Sequence, residues 1–280
     1  MLKITSISIA SNSIREFNGI MFPRLEFLGV NGNCLDIGQV VNLPDLKYAG
    51  LHDQIPNKKI NSQSRSDIGN HRIFNRVRHV KLSGVQLESI SLSLDSRVIH
   101  MDLSWSNIVH IPHCLSILTC IQQLELQGNN LSDLRPLYPL VNLLKLNLSS
   151  NMIKSVTTIC GLLKHIPKLS HLDTTNNPFN TPDTNFSDQD AAYVLQICYN
   201  GAIISAGKSI RVLDNERLTC HDRKKAIKRL KTVEDYCKAH LGKNAISNQD
   251  SITDWQPKCF ALQDMTVDDR IVIQNLSFAR

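Results

Sequence analysis

One spacing of apolar residues, L-x-x-L-x-L-x-x-N-x-L, recurs eight times along this chain and limits its possible folds more than any other feature. The copies begin with Ile4, Ile7, Ile9, Asn12 and Ile14, and continue with Leu25, Leu28, Val30, Asn33 and Leu35. A weaker copy follows at Leu46, Ala49, Leu51 and Gln54, then Val77, Val80, Leu82, Val85 and Leu87, and Val98, Met101, Leu103, Ser106 and Ile108. The last three are Ile121, Leu124, Leu126, Asn129 and Leu131; Leu143, Leu146, Leu148, Asn151 and Ile153; and Leu169, Leu172, Thr174, Asn177 and Phe179. The turn positions 12, 33, 54, 85, 106, 129, 151 and 177 are separated by 21, 21, 31, 21, 23, 22 and 26 residues.

The spacing has a physical reading. Side chains alternate with period two along a strand, so each x-L-x-L-x piece buries its leucines and turns the intervening residues outward. Asn then bends the chain, and its amide can satisfy backbone groups left open in the bend. One such coil cannot bury its own apolar side, so coils stack around a continuous aliphatic core. The composition suits this, with 42% hydrophobic residues but only 5% aromatic ones. The expected fold class is therefore α/β, a leucine-rich repeat solenoid of about eight repeats, curved around a parallel-strand ladder. The array is expected over residues 1–180, with a polar insertion at 57–72. Val85 and Ser106 stand where the turn Asn belongs, which predicts slightly looser coils there.

A solenoid needs its open end covered. Ser187, with Asp190 three residues on, reads as a helix start, and Ile210, Val212 and Leu213 read as a last strand. From about Asp222 to Leu241, the apolar residues Ile227, Leu230, Val233, Cys237 and Leu241 recur at helical spacing and should pack on the last coil. Residues 181–241 are thus expected to form a helical C-terminal cap ending in a basic amphipathic helix, leaving 242–280 as a partly disordered tail. Arg223, Lys224, Lys225, Lys228 and Arg229 crowd the start of that helix. Residues 215–241 hold eight Lys or Arg against four Asp or Glu, so most of the formal charge of +6 comes from this stretch. A broad nucleic-acid-binding face is not expected elsewhere.

The Asn-Pro ending at Asn177-Pro178, the stretch Ile210-Arg211-Val212-Leu213-Asp214-Asn215 and the pattern Leu218-Thr219-x-x-Asp222-Arg223 resemble the C-terminal cap of intracellular repeat proteins with about 22 residues per repeat. That family includes the nuclear regulator of protein phosphatase 1, ciliary dynein-assembly proteins and the A-prime spliceosomal protein. The resemblance covers residues 1–225 and implies an arc-shaped, non-enzymatic adaptor in a cytoskeletal, ciliary or phosphatase complex. It also implies an alternative, a component of an RNA-protein particle using the basic helix.

The outward strand positions carry the expected partner site: Phe27, Tyr48, His52, His79, Lys81, His100, Asp102, Trp105, Gln123, Glu125, Lys145, His171 and Asp173. Large aromatics tend to dominate interface energetics, so Tyr48 and Trp105 are the expected anchors, both exposed on the concave side. His79 and His100 should be neighbours one coil apart, and a metal would need a third ligand such as Asp102. Nucleotide-binding, hydrolase and zinc-protease motifs do not occur in the sequence. No catalytic residue, metal or cofactor is expected, and the partner is expected to be a protein. The eight scattered cysteines, without a C-x-x-C pair, and the lack of a long apolar run favour an intracellular protein without a membrane span; the resemblance implies a place in the cytoplasm, cilium, cytoskeleton or nucleus, and a monomer is expected.

Overall fold

The computed structural model describes residues 3–15, 22–34, 45–51, 78–83, 97–111, 113–180 and 189–240. The insertion 57–72, the turn at Val85, Ser187 and the tail 242–280 lie outside these residues. Among the described residues, ten strands form one sheet in chain order. The first eight are three residues each: β1 (Ser6–Ser8), β2 (Phe27–Gly29), β3 (Tyr48–Gly50), β4 (His79–Lys81), β5 (His100–Asp102), β6 (Gln123–Glu125), β7 (Lys145–Asn147) and β8 (His171–Asp173). All eight pair in parallel, and β8 also pairs in parallel with β9 (Val212–Leu213). The eight strands fall in the phase that the spacing predicts.

The middle residues of β2 to β8, Leu28, Ala49, Val80, Met101, Leu124, Leu146 and Leu172, are at most 3% exposed, because each points into the solenoid between its neighbours. Ile7, in the first coil, has a neighbour on one side only and is partly buried. Helical pieces close the opposite wall: α1 (His113–Ser116), a short 3-10 turn (Arg135–Leu137) and α2 (Val156–His165). The Ser155 hydroxyl starts α2 by accepting the Thr157 amide at 3.1 Å.

The turn residues form a second ladder. Asn129 Nδ2 donates backward to Leu103 O of the preceding coil and to Leu126 O of its own, both at 2.9 Å. Its Oδ1 accepts Ser106 N at 3.1 Å and Ile108 N at 2.9 Å, again from the coil before. Asn33, Asn151 and Asn177 repeat the arrangement. Ser106 stands in this ladder in place of an Asn. Its hydroxyl lies 3.2 Å from both Leu82 O and Ser104 O, so it replaces the donor half of the amide, and the residue is 2% exposed.

Immediately before each described turn residue, the backbone is left-handed. Ser11, Gly32, Trp105, Gly128, Ser150 and Asn176 have φ of 56°, 64°, 56°, 67°, 54° and 56°. Gly, Ser and Asn suit this bend because they are small or can hydrogen-bond locally; Trp does not, and such a conformation costs an ordinary residue about 1–2 kcal/mol.

At the C-terminal end the ladder closes on itself. Asp214 and Asn215, with φ of 50° and 67°, form a two-residue turn between β9 and β10 (Glu216–Arg217), which pair antiparallel. Inside the array, Leu126 N and Leu148 N donate to Asn147 O and Asp173 O of the next strand. Thr174 N instead donates to the Asp214 carboxylate at 2.6 Å, and the Thr174 hydroxyl adds a bond at 2.9 Å. Helix α3 (Gln189–Ala206) packs on α2, and α4 (Cys220–His240) packs on α3. Helix α4 therefore lies against α3, not against the last coil as its apolar spacing predicts. Gly201 allows the close approach, since a Cβ there would lie 2.8 Å from Leu230 Cβ. Leu230 is buried, but Ile227 is 40% exposed; the side chains of Val233, Cys237 and Leu241 lie outside the described set.

The motif Leu218-Thr219-x-x-Asp222-Arg223 has a mechanical meaning here. The Asp222 carboxylate accepts Thr219 N at 2.9 Å, and the Thr219 hydroxyl accepts Asp222 N at 3.2 Å, a reciprocal cap that starts α4. Arg223 then reaches across to Ile204 O at 2.7 Å, Gly207 O at 3.2 Å and Ile210 O, clamping the end of α3. Arg223 thus leaves the expected basic surface, because its guanidinium is spent on buried-side carbonyls.

Candidate binding face on the strands

The parallel register arranges the outward side chains in columns. The first column runs Ser6, Phe27, Tyr48, His79, His100, Gln123, Lys145 and His171. The second runs Ser8, Gly29, Gly50, Lys81, Asp102, Glu125, Asn147 and Asp173. Twelve of the thirteen expected site residues are described, and eleven of these lie in the two columns. Trp105 sits beyond them in the turn, and His52 lies outside the described residues.

The N-terminal half of the first column is a row of rings. Phe27 and Tyr48 stack with centroids 4.4 Å apart and planes 7° from parallel. His79 and His100 meet edge-on at 5.8 Å. Gly29 and Gly50 leave the room the aromatic rings use: a Cβ at Gly29 would lie 3.3 Å from Phe27 Cε1, and one at Gly50 would lie 3.1 Å from Tyr48 Cε1. Tyr48 is consequently half-buried, where the sequence predicts an exposed anchor. Phe27 is 37% exposed.

The C-terminal half is polar and more tightly hydrogen-bonded. Gln123 Nε2 donates to Glu125 Oε1 at 2.9 Å. Asp102 and Asp173 each accept the amide of the residue two positions on, Ser104 and Thr175, at 3.0 Å, which fixes the exit from the strand. Asn215 Nδ2 donates to the other oxygen of Asp173 at 3.0 Å. Burial lowers the pKa of His100, assisted by His79 and Lys81 and opposed by Glu125 and Asp102; its Nε2 is buried without a hydrogen-bond partner. Burial also lowers the pKa of His171, together with Lys145 and Arg211. His79, His100 and Asp102 do not form a metal-holding group, nor does any other cluster among the described residues.

Trp105 is 60% exposed, but the period-two rule does not place it. It lies three residues past the end of β5, in the left-handed column, with its amide donating to Gln127 O at 2.8 Å. A Cβ on Gly128 would fall 2.2, 2.3 and 2.6 Å from indole Cε3, Cδ2 and Cζ3. The six-membered ring therefore lies over Gly128 of the next coil. Neither the strand alternation nor the turn template indicates this contact; the pairing of Trp105 with a glycine one repeat later is its only trace in the sequence.

On α4, Lys224, Lys225 and Lys228 are exposed, whereas Arg223 and Arg229 are half-buried. Cys34, Cys120, Cys160, Cys198 and Cys220 are not in disulfides, and burial pushes Cys160 up to about 12, which makes it inert. No described helix is long and apolar enough to cross a membrane.

No protein-family model matches the chain, and no curated protein is detectably similar to it in sequence. Solved structures are similar. An internalin (InlF) from Listeria monocytogenes aligns with a TM-score of 0.56 at 18% identity, over 81% of this chain and 64% of that one. The Drosophila melanogaster SNF/U2A′ complex aligns with a TM-score of 0.41 at 20% identity, over 62% of this chain and 89% of that one. An LRR protein of Leptospira interrogans aligns with a TM-score of 0.47 at 16% identity, over 62% of this chain and 44% of that one. The chain spans less than two thirds of the internalin's length. The internalin likeness, together with the parallel ladder, establishes the fold, a leucine-rich repeat solenoid.

Proposed function

We propose that this protein is a non-enzymatic adaptor that holds a protein partner against its strand face, from the ring row at β2 to β5 to the indole of Trp105. The observation that carries this reading is the accessible aromatic surface on an otherwise polar face: Phe27 at 37% and Trp105 at 60% exposure, with Tyr48 stacked on Phe27 and the paired histidines next in the column. Buried aromatic anchors within a polar rim are the usual energetic centre of a protein interface. The family resemblance adds an intracellular setting, in a cytoskeletal, ciliary or phosphatase complex, and a monomer with no cofactor.

Affinity purification from a cell extract, with bound proteins identified, tests the reading. A specific partner retained in high salt should be captured about 30-fold less by Trp105→Ala, a loss of about 2 kcal/mol, while the melting curve stays in place. Equal capture by wild type, Trp105→Ala and Tyr48→Ala overturns it.

The second reading, an RNA-protein particle component, is favoured by the exposed Lys224, Lys225 and Lys228 on α4. Capture that collapses as salt rises and is lost in a Lys224→Ala, Lys225→Ala, Lys228→Ala variant would select it.

A further inference from the structure

Two features of the same coil pair are unfavourable in the free protein. Asp102 and Glu125 are register partners on adjacent parallel strands, about 4.8 Å apart along the ladder. Like charges side by side on one face of a sheet repel. The cations nearest in register are Lys81, beside Asp102, and Lys145, beside Gln123, and neither makes an ion pair with the two carboxylates among the described residues. Three positions after Asp102, at the same end of the strands, Trp105 holds a left-handed backbone with its ring supported by Gly128 and most of its surface open to solvent. Between the carboxylates and the indole stand only uncharged residues, the buried Ser104 and, on the next coil, the half-buried Gln127.

Resting on the adaptor reading above, we infer that this part of the strand face receives a basic segment of the partner protein, with one cationic side chain against the indole of Trp105 and another over Asp102 and Glu125. A cation is attracted to the open face of an indole, and a second cation relieves the repulsion between the carboxylates. The chain turns between Asp102 and Trp105, so they lie at most about 10 Å apart, the span of three residues at an extended rise of about 3.3 Å each. Arg or Lys residues two apart on an extended segment point to the same side about 7 Å from each other, and their long side chains span the remainder. Arginine fits best, because its planar guanidinium can both lie on the ring and fork onto a carboxylate.

The test uses the full chain and two fluorescein-labelled probes, Ac-(Arg-Gly)4-NH2 and Ac-(Glu-Gly)4-NH2, followed by fluorescence anisotropy. The arginine probe should bind and the glutamate probe should not. Trp105→Ala and the double variant Asp102→Asn, Glu125→Gln should each weaken the arginine probe about tenfold. Only the double variant should also flatten the salt dependence. Asp133→Asn, which removes an exposed carboxylate already paired with Arg135 at 2.7 Å, should change nothing. If Trp105→Ala proves unstable, Trp105→Gly, which suits the left-handed backbone, takes its place. Binding unaffected by the Trp105 variant and by the double variant, or weakened equally by Asp133→Asn, overturns the inference. Loss of the natural partner in Tyr48→Ala without arginine-probe binding leaves the adaptor reading standing and refutes the basic segment alone.

Discussion

Asn129 offers the most quantitative check on what holds the coils together. The residue is 4% exposed, and its amide serves five backbone groups: Leu103 O, Leu126 O, Ser106 N, Ile108 N and, at 3.4 Å, Gln127 O, which also accepts Trp105 N. Asn129→Ala leaves three of them without a partner, because Gln127 O keeps Trp105 N and Leu126 O still accepts Asn151 Nδ2 at 2.9 Å. At about 1 kcal/mol for each buried orphan, the lower end of the usual range, the loss is about 3 kcal/mol. Asn129→Ser should cost less. The hydroxyl of Ser106 already reaches the preceding coil's Leu82 O, so a serine at 129 keeps the corresponding bond to Leu103 O and forfeits only the two amides, about 2 kcal/mol. Urea unfolding followed by circular dichroism measures both, with an unchanged slope required for the comparison. An alanine variant within about 0.5 kcal/mol of wild type, or a serine variant as unstable as alanine, refutes this division of donors and acceptors.

Leu148, fully buried at 0% exposure, should cost about 2–5 kcal/mol on truncation to Ala, again by urea unfolding. Arg223→Ala strips the cation from Ile204 O, Gly207 O and Ile210 O, and should destabilise the protein by about 2 kcal/mol; hydrogen exchange should rise first in α3 and α4. The Asp214 carboxyl is raised above its ordinary 3.8, because burial outweighs the two donations from Thr174 while Asp173 and Glu216 add repulsion. The folded protein then binds more protons than the unfolded chain above 3.8, so this group's contribution falls as pH rises through the folded value and levels off once Asp214 is ionised. Thermal melts across that range should lose this slope in Asp214→Asn, which keeps an oxygen for Thr174; an unchanged slope argues against the assignment.

The repeat phase was legible because burial imposes it twice over, once through strand alternation and once through the turn amide. Leu124, Leu146 and Leu172 point inward as their spacing requires, and His79 and His100 are neighbours as their common column requires. What the periodicity could not convey were contacts made outside it. Trp105 is placed by a left-handed turn and the bare backbone of Gly128, not by alternation. Arg223 looks like one more surface cation in a basic run, yet three carbonyls from another helix and the loop after it draw it inward. The apolar spacing of α4 shows that it has a buried side, but spacing carries no information about which neighbour covers that side. Charge and amphipathicity are local properties; the choice of partner element is not.

The backward direction of the Asn ladder gives the two ends of the array different needs. Take away the first coil, and the next coil's amide loses partners but can turn toward water, as Asn12, exposed and bonded to its own Ala10 O, already does. Take away the last coil, and it is main-chain carbonyls and amides of the preceding coil that are stranded, held rigidly by the backbone. The array is thus vectorial: unzipping from the front is cheap and reversible, whereas erosion from the rear exposes groups that cannot reorient. A hairpin carboxylate in place of the missing strand, backed by two helices, guards the vulnerable terminus, and partial unfolding should advance from the N-terminal coils inward.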